Sequence, residues 1–117
     1  MARTFGETLK KERRAAGLSQ RELAERASLD FSYISKIENG RLPPPAADTV
    51  VQLCRILGIL PEELLALTRK IPTRVHQTIS SSAAAQNFLR EVQQMKLTDV
   101  EWKRLAGTLR NLRETSK

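Results

Sequence analysis

Between Leu18 and Gly40 two short helical patterns stand on either side of a three-residue turn, Ala27-Ser28-Leu29. The first opens with Ser19-Gln20-Arg21-Glu22, a capping box in which the Ser19 hydroxyl accepts a backbone N–H and Glu22 reaches back. It places Leu23, Ala24 and Ala27 inward and ends near Arg26. The second begins at Asp30, a good N-cap residue, places Ile34 and Ile37 inward, and is stopped by Gly40. Ala24 is small where two crossing helices must approach closely, and Leu23, Leu29, Ile34 and Ile37 can share one small core. A unit this tight exposes one side of its second helix. That is the shape required to enter a DNA major groove about 12 Å wide.

The rest of the chain reads as helical too, because neither strand alternation nor a hairpin signal occurs. A first helix over about Thr4–Ala16 aligns Phe5, Leu9 and Arg13 on one face before Gly17. Arg41-Leu42-Pro43-Pro44-Pro45 is a stiff loop. A fourth helix over about Ala47–Leu57 turns Val50, Leu53, Cys54 and Leu57 inward and ends at Gly58. Pro61-Glu62-Glu63 opens a fifth, with proline in the first turn and two carboxylates at the positive end of the helix dipole. Beyond Thr68 the composition changes to Pro72, three serines and three alanines, which marks a boundary and leaves room for a short helix over Pro72–Ile79. Two amphipathic helices follow, 82–96 with Phe88, Leu89, Val92 and Met95, and 98–113 with Trp102, Leu105, Leu109 and Leu112. Their link at Leu97 is short enough for a helical hairpin. The reading is an all-α chain: a five-helix domain over 1–67, a linker over 68–81 and a hairpin over 82–117.

Charge and composition narrow the function. The 20 Lys and Arg outnumber the 13 Asp and Glu, giving +7, and a basic chain tends to meet a polyanion. The excess is uneven, with ten basic against nine acidic residues in 1–67 and ten against four in 68–117. Aromatics are only 4%, too few for a base-stacking platform for single strands. One cysteine, Cys54, and one histidine, His76, make neither a disulfide nor a metal cluster. No Ser/His/Asp set or Gly-rich phosphate loop occurs, so neither a catalytic residue nor a cofactor is expected. The N-terminus lacks the apolar run of a signal peptide, and the longest apolar stretch, Ile56–Leu60, is too short to cross a bilayer, so a cytoplasmic protein without membrane contact is expected.

The segment about 4–67 resembles the lambda-repressor/Cro-like helix-turn-helix family, also called the XRE family. The resemblance rests on Gln20…Leu23-Ala24, on Ile34-Ser35-Lys36-Ile37-Glu38-Asn39-Gly40 and on Leu53…Leu57-Gly58. It implies that the helix beginning at Asp30 is a recognition helix. Phe31, Ser32, Tyr33 and Lys36 would then meet the DNA: Lys36 through guanine O6/N7, Phe31 through a thymine methyl, Ser32 and Tyr33 at a base or phosphate. Gln20 matches a family glutamine that pins a phosphate, and Asn39, Arg41 and Arg21 become candidates for backbone contact. Arg13 and Glu38 match a family ion pair of structural role. The chain departs from the pattern at Ser28, where the turn usually has glycine, and at Ala46 and Leu60, which lack the usual hydroxyl cap and cost about 1 kcal/mol each.

Two helices cannot close a core without a partner surface, so the apolar stripe of the hairpin packs either on the first domain or on a second chain. The second is favoured, because the family's specific sites engage two-fold dimers with half-sites about 34 Å apart. Phe88, Val92, Trp102, Leu105 and Leu109 are the expected interface. The basic residues Arg90, Lys96, Lys103, Arg104, Arg110 and Arg113 read as a solvated surface, with flanking phosphates as the sharper alternative. The expectation is a regulator of transcription acting on duplex DNA as a homodimer at a palindromic operator, by repression. The alternative is an antitoxin or antagonist-controlled regulator whose C-terminal helices dock a protein partner such as a toxin.

Overall fold

The computed structural model describes residues 3–115; residues 1, 2, 116 and 117, the outer ends of the expected first and last segments, lie outside the described residues. The order is α1 (Phe5–Ala15), α2 (Gln20–Ala27), α3 (Phe31–Glu38), α4 (Ala47–Leu57), α5 (Glu62–Thr68), α6 (Thr73–Ser80), α7 (Ala83–Met95) and α8 (Asp99–Thr115). No strand occurs among the described residues. The chain divides into two compact units, 1–76 and 77–117, and the division falls within α6.

In the first unit, five short helices close around one core. Leu9, Leu23, Ile34, Ile37, Val50, Leu53, Cys54 and Leu64 are all buried, so each of α1 to α5 contributes at least one side chain. Helices of this length are marginal in isolation, and this shared apolar face is what holds them. The ends are set by local chemistry. Thr4 Oγ1 accepts from the Glu7 N–H at 3.1 Å at the start of α1. At α2 both halves of the capping box are made: Glu22 N–H donates to Ser19 Oγ at 3.0 Å, and Ser19 N–H to Glu22 Oε1 at 3.1 Å. These bonds hold the Glu22 carboxyl below its ordinary pKa.

Asp30 departs from the sequence reading, and Ser28 and Gly6 add constraints of their own. Asp30 stands at the N-cap of α3, but its side chain makes no capping bond; its backbone carbonyl accepts from Tyr33 and Ile34 instead. Ser28 ends α2 in the left-handed region (φ 56°, ψ 41°), where Leu29 N–H closes onto Ala24 O at 2.8 Å. Serine thus takes the strained conformation that glycine adopts freely. At Gly6, buried in α1, an added Cβ would stand 2.7 Å from the Glu38 carbonyl oxygen and against that of Ile37, so only glycine lets α1 approach the end of α3.

The short helix α6 has a tertiary cap. Asp48, from the first turn of α4, accepts from Thr73 N–H at 2.9 Å and from Thr73 Oγ1 at 2.6 Å. Those two bonds hold the Asp48 carboxyl below its ordinary value. Nearby, Lys70 Nζ donates to the carbonyls of Pro44 and Pro45, each at 3.2 Å, which ties the proline loop to the segment after α5.

In the second unit, α7 and α8 form a hairpin through Lys96, Leu97 and Thr98. Lys96 is left-handed (φ 51°). Thr98 opens α8 with a capping box, accepting from Glu101 N–H at 3.2 Å while Glu101 Oε1 accepts from Thr98 N–H at 3.0 Å. Ser82 Oγ caps α7 by accepting from Ala85 N–H at 3.1 Å. No residue described in this unit is fully buried.

Candidate nucleic-acid interface

The site is built from the anchoring outward. Arg13 and Glu38 are 7% and 5% exposed, so both charges sit inside the first unit and must satisfy each other there. They do so in a fork: Arg13 Nε donates to Glu38 Oε2 at 2.7 Å and Nη2 to Oε1 at 3.0 Å. Arg13 Nη1 donates to the Leu18 carbonyl at 2.8 Å. Glu38 Oε1 also accepts from Gln20 Nε2 at 3.0 Å. One carboxylate therefore joins α1, the end of α3 and the start of α2. Every buried polar side-chain atom among the described residues has a partner.

This clamp fixes α3 with one long side outward. Phe31, Ser32, Lys36 and Asn39 are exposed and Ser35 is half-buried, so residues at spacings of three and four share the solvent side while Ile34 and Ile37 face the core. Ser35 was not singled out from the sequence; its place between Phe31 and Asn39 at i, i+4 was the available signal. Its hydroxyl lies 3.5 Å from Asn39 Nδ2. Tyr33 is divided: part of its ring packs on the core and part remains accessible. Phe31, the first residue of α3, is 39% exposed. Its ring face carries the Arg21 guanidinium, 4.4 Å from the centroid. Gln20 is half-buried, and Arg41 is exposed just beyond α3.

The expected interface residues of the hairpin also come together. Phe88, Leu105, Trp102, Leu109 and Leu112 line one groove, and Phe88, Val92 and Leu105 continue it into a second. Phe88 is 46%, Trp102 44% and Leu109 68% exposed, a large apolar area for a surface.

Two further residues carry reactive groups, Cys54 and His76. Burial, with the nearby Glu12 and Glu62, pushes the Cys54 thiol up to about 11, so it stays a protonated core side chain. His76 is exposed. Among the described residues no group of His, Cys, Asp and Glu can hold a metal, and no helix is long and apolar enough to cross a membrane.

The family model of a helix-turn-helix domain matches residues 4–67. The chain is 37% identical over 62 residues to the uncharacterized HTH-type transcriptional regulator RghRB of Bacillus subtilis, which covers 53% of this chain and only 45% of that protein. It is 32% identical over 72 residues to the uncharacterized HTH-type transcriptional regulator y4dJ of Sinorhizobium fredii, covering 62% of this chain and 92% of that one. Among solved structures, SinR, a master regulator for biofilm formation, in complex with DNA superposes with a TM-score of 0.50 at 31% identity, over 53% of this chain and 98% of the SinR chain in that complex. A SinR/SinI protein complex matches 96% of this chain and 99% of its own with a TM-score of 0.51 at 20% identity, a likeness of fold. With the matched domain spanning α1 to α5, the chain belongs to the XRE-type helix-turn-helix family.

Proposed function

We propose that this protein binds duplex DNA sequence-specifically and regulates transcription, by repression, as a homodimer at a palindromic operator in the cytoplasm. The observation that carries the proposal is the outward side of α3. Phe31, Ser32, Ser35, Lys36 and Asn39 form a mixed apolar, hydroxyl, cationic and amide surface on a helix held from behind by Arg13 and Glu38. Such a surface offers a lysine to guanine acceptors and an apolar ring to a thymine methyl. The solved complex of SinR with DNA, which matches 53% of this chain at 31% identity, supports the reading. Gln20, with one amide N–H taken by Glu38, keeps its second for a phosphate at the start of α2.

One α3 reads few base pairs, so specificity requires a second copy, and the apolar groove on α7–α8 supports pairing there through Phe88, Val92, Trp102, Leu105 and Leu109. Docking of a protein antagonist or toxin on the same face is the second reading, favoured by the same exposed area. The reading is a binding protein and not an enzyme, on the match of a helix-turn-helix domain over residues 4–67. Selection from random duplexes, followed by sedimentation of the chain alone and with the selected duplex, tests the proposal. An inverted-repeat consensus bound by two chains is expected. A chain that stays monomeric with and without DNA removes the dimer, and retention of no duplex at low salt removes the function.

A further inference from the structure

Arg21 lies one residue inside α2, the helix that in this kind of unit crosses the DNA backbone. Its guanidinium carbon lies over the ring of Phe31, the first residue of α3, 4.4 Å from the centroid. Both side chains are exposed, and no carboxylate among the described residues pairs with Arg21. A guanidinium stacked on a ring engages through its flat face, which leaves its in-plane N–H donors unspent. Nine residues of chain lie between the two, and the turn through Ser28 brings them together. At an exposed site such a stack biases the side chain only about two- to five-fold, but the bias grows once the pair is desolvated, as it would be against a groove.

We infer, resting on the DNA-binding reading above, that Arg21 and Phe31 act as one base-reading unit, in which the Phe31 ring holds the Arg21 fork over the groove edge for a guanine. The chemistry fits on two counts. Planar in-plane donors match guanine O6 and N7 in bidentate fashion, and an apolar ring edge beside them suits the methyl of a neighbouring thymine. A lysine at position 21 would keep the charge and lose the fork. The preferred site thus contains a thymine–guanine step under the start of α3, separate from the base met by Lys36, one turn further along the helix.

The test uses the full chain and four variants: Arg21→Ala, Arg21→Lys, Phe31→Leu and the double Arg21→Ala/Phe31→Leu. Each is titrated with the selected duplex and with one carrying adenine for that guanine. The unmodified chain is expected to discriminate by about 5- to 150-fold. Each single variant should lose most of that discrimination, Arg21→Lys with an unchanged salt slope, and the double should be no worse than the weaker single. Phe31 lies outside the core, and thermal unfolding establishes that Phe31→Leu is folded. Three results overturn the inference. Discrimination retained in Phe31→Leu removes the coupling. Strictly additive losses make the two residues independent. Equal weakening of every duplex by Arg21→Ala, with a log-salt slope shallower by about one, makes Arg21 a phosphate clamp. Failure of the unmodified chain to retain any duplex would instead remove the parent function.

Discussion

Gln20 donates its side-chain amide to Glu38 Oε1 at 3.0 Å, the same oxygen that accepts from Arg13 Nη2. The bond spans from the first residue of α2 to the last of α3, so the two ends of the helix-turn-helix are closed into a ring around Leu23, Ile34 and Ile37. Since Glu38 is buried, the alternative to these partners is a charge left without compensation.

The first prediction follows directly. Arg13→Ala should destabilise the first unit by about 3–5 kcal/mol, because it strands the Glu38 carboxylate. Gln20→Ala should cost far less, about 1 kcal/mol, because Glu38 keeps both its bonds to Arg13. Urea unfolding at neutral pH measures both, and equal costs would show that the ion pair is not the anchor.

Gly6→Ala sets two effects of opposite sign against each other. Alanine favours the helix by about 1 kcal/mol. Its Cβ would sit 2.7 Å from the Glu38 carbonyl oxygen, a backbone atom that can yield only if α3 moves, and overpacking of that kind costs about 1–3 kcal/mol. The clash should win, with a lower midpoint in urea and weaker DNA binding as α3 is displaced.

Ser28→Gly should act the other way. The left-handed conformation at φ 56° costs an L-residue about 1–2 kcal/mol, while glycine adds about 0.5–1 kcal/mol of chain entropy to lose. A net gain of about 0.5 kcal/mol is expected in thermal or urea unfolding, with DNA affinity unchanged.

The Asp48–Thr73 contact makes the start of α6 sensitive to acid. Two hydrogen bonds from Thr73 lower the Asp48 carboxyl, so their contribution is complete above the unfolded-chain value of about 3.9 and is lost as pH falls through the lower folded value. Amide exchange at Thr73, taken relative to the intrinsic rate at each pH, should stay slow near neutrality and accelerate as pH falls below the ordinary carboxylate value. In Asp48→Ala it should be fast throughout, and an acid-independent Thr73 amide in the unmodified chain would contradict the contact.

Much of the fold was legible because its determinants are local. Ser19 with Glu22 and Thr98 with Glu101 are capping boxes within four residues, and Gly17, Gly40 and Gly58 all take positive φ at helix ends. The inward faces of α1 to α4 followed from spacing. What escaped depends on partners far apart in sequence. Gly6 reads as a helix-weakening glycine until the carbonyls of Ile37 and Glu38 arrive beside it. Asp48 reads as a first-turn acid of α4 until Thr73 donates to it from 25 residues away. Asp30 carries the right side chain for a cap, yet its carbonyl takes the first-turn amides. At the candidate site, the residue types on α3 were readable. The stacking of Arg21 on Phe31 was not, because it depends on how the turn at Ser28 sets α2 against α3.

The most direct measurement is backbone amide NMR of the full chain during titration with the selected duplex, repeated with Lys36→Ala. The largest shifts should fall on residues 31–36 and on Gln20, and Lys36→Ala should relax preference at a single base position at a cost of about 1–3 kcal/mol. Shifts that leave α3 untouched, or a Lys36→Ala loss that is equal on every duplex, would contradict the assignment of the outward side of α3 to base recognition.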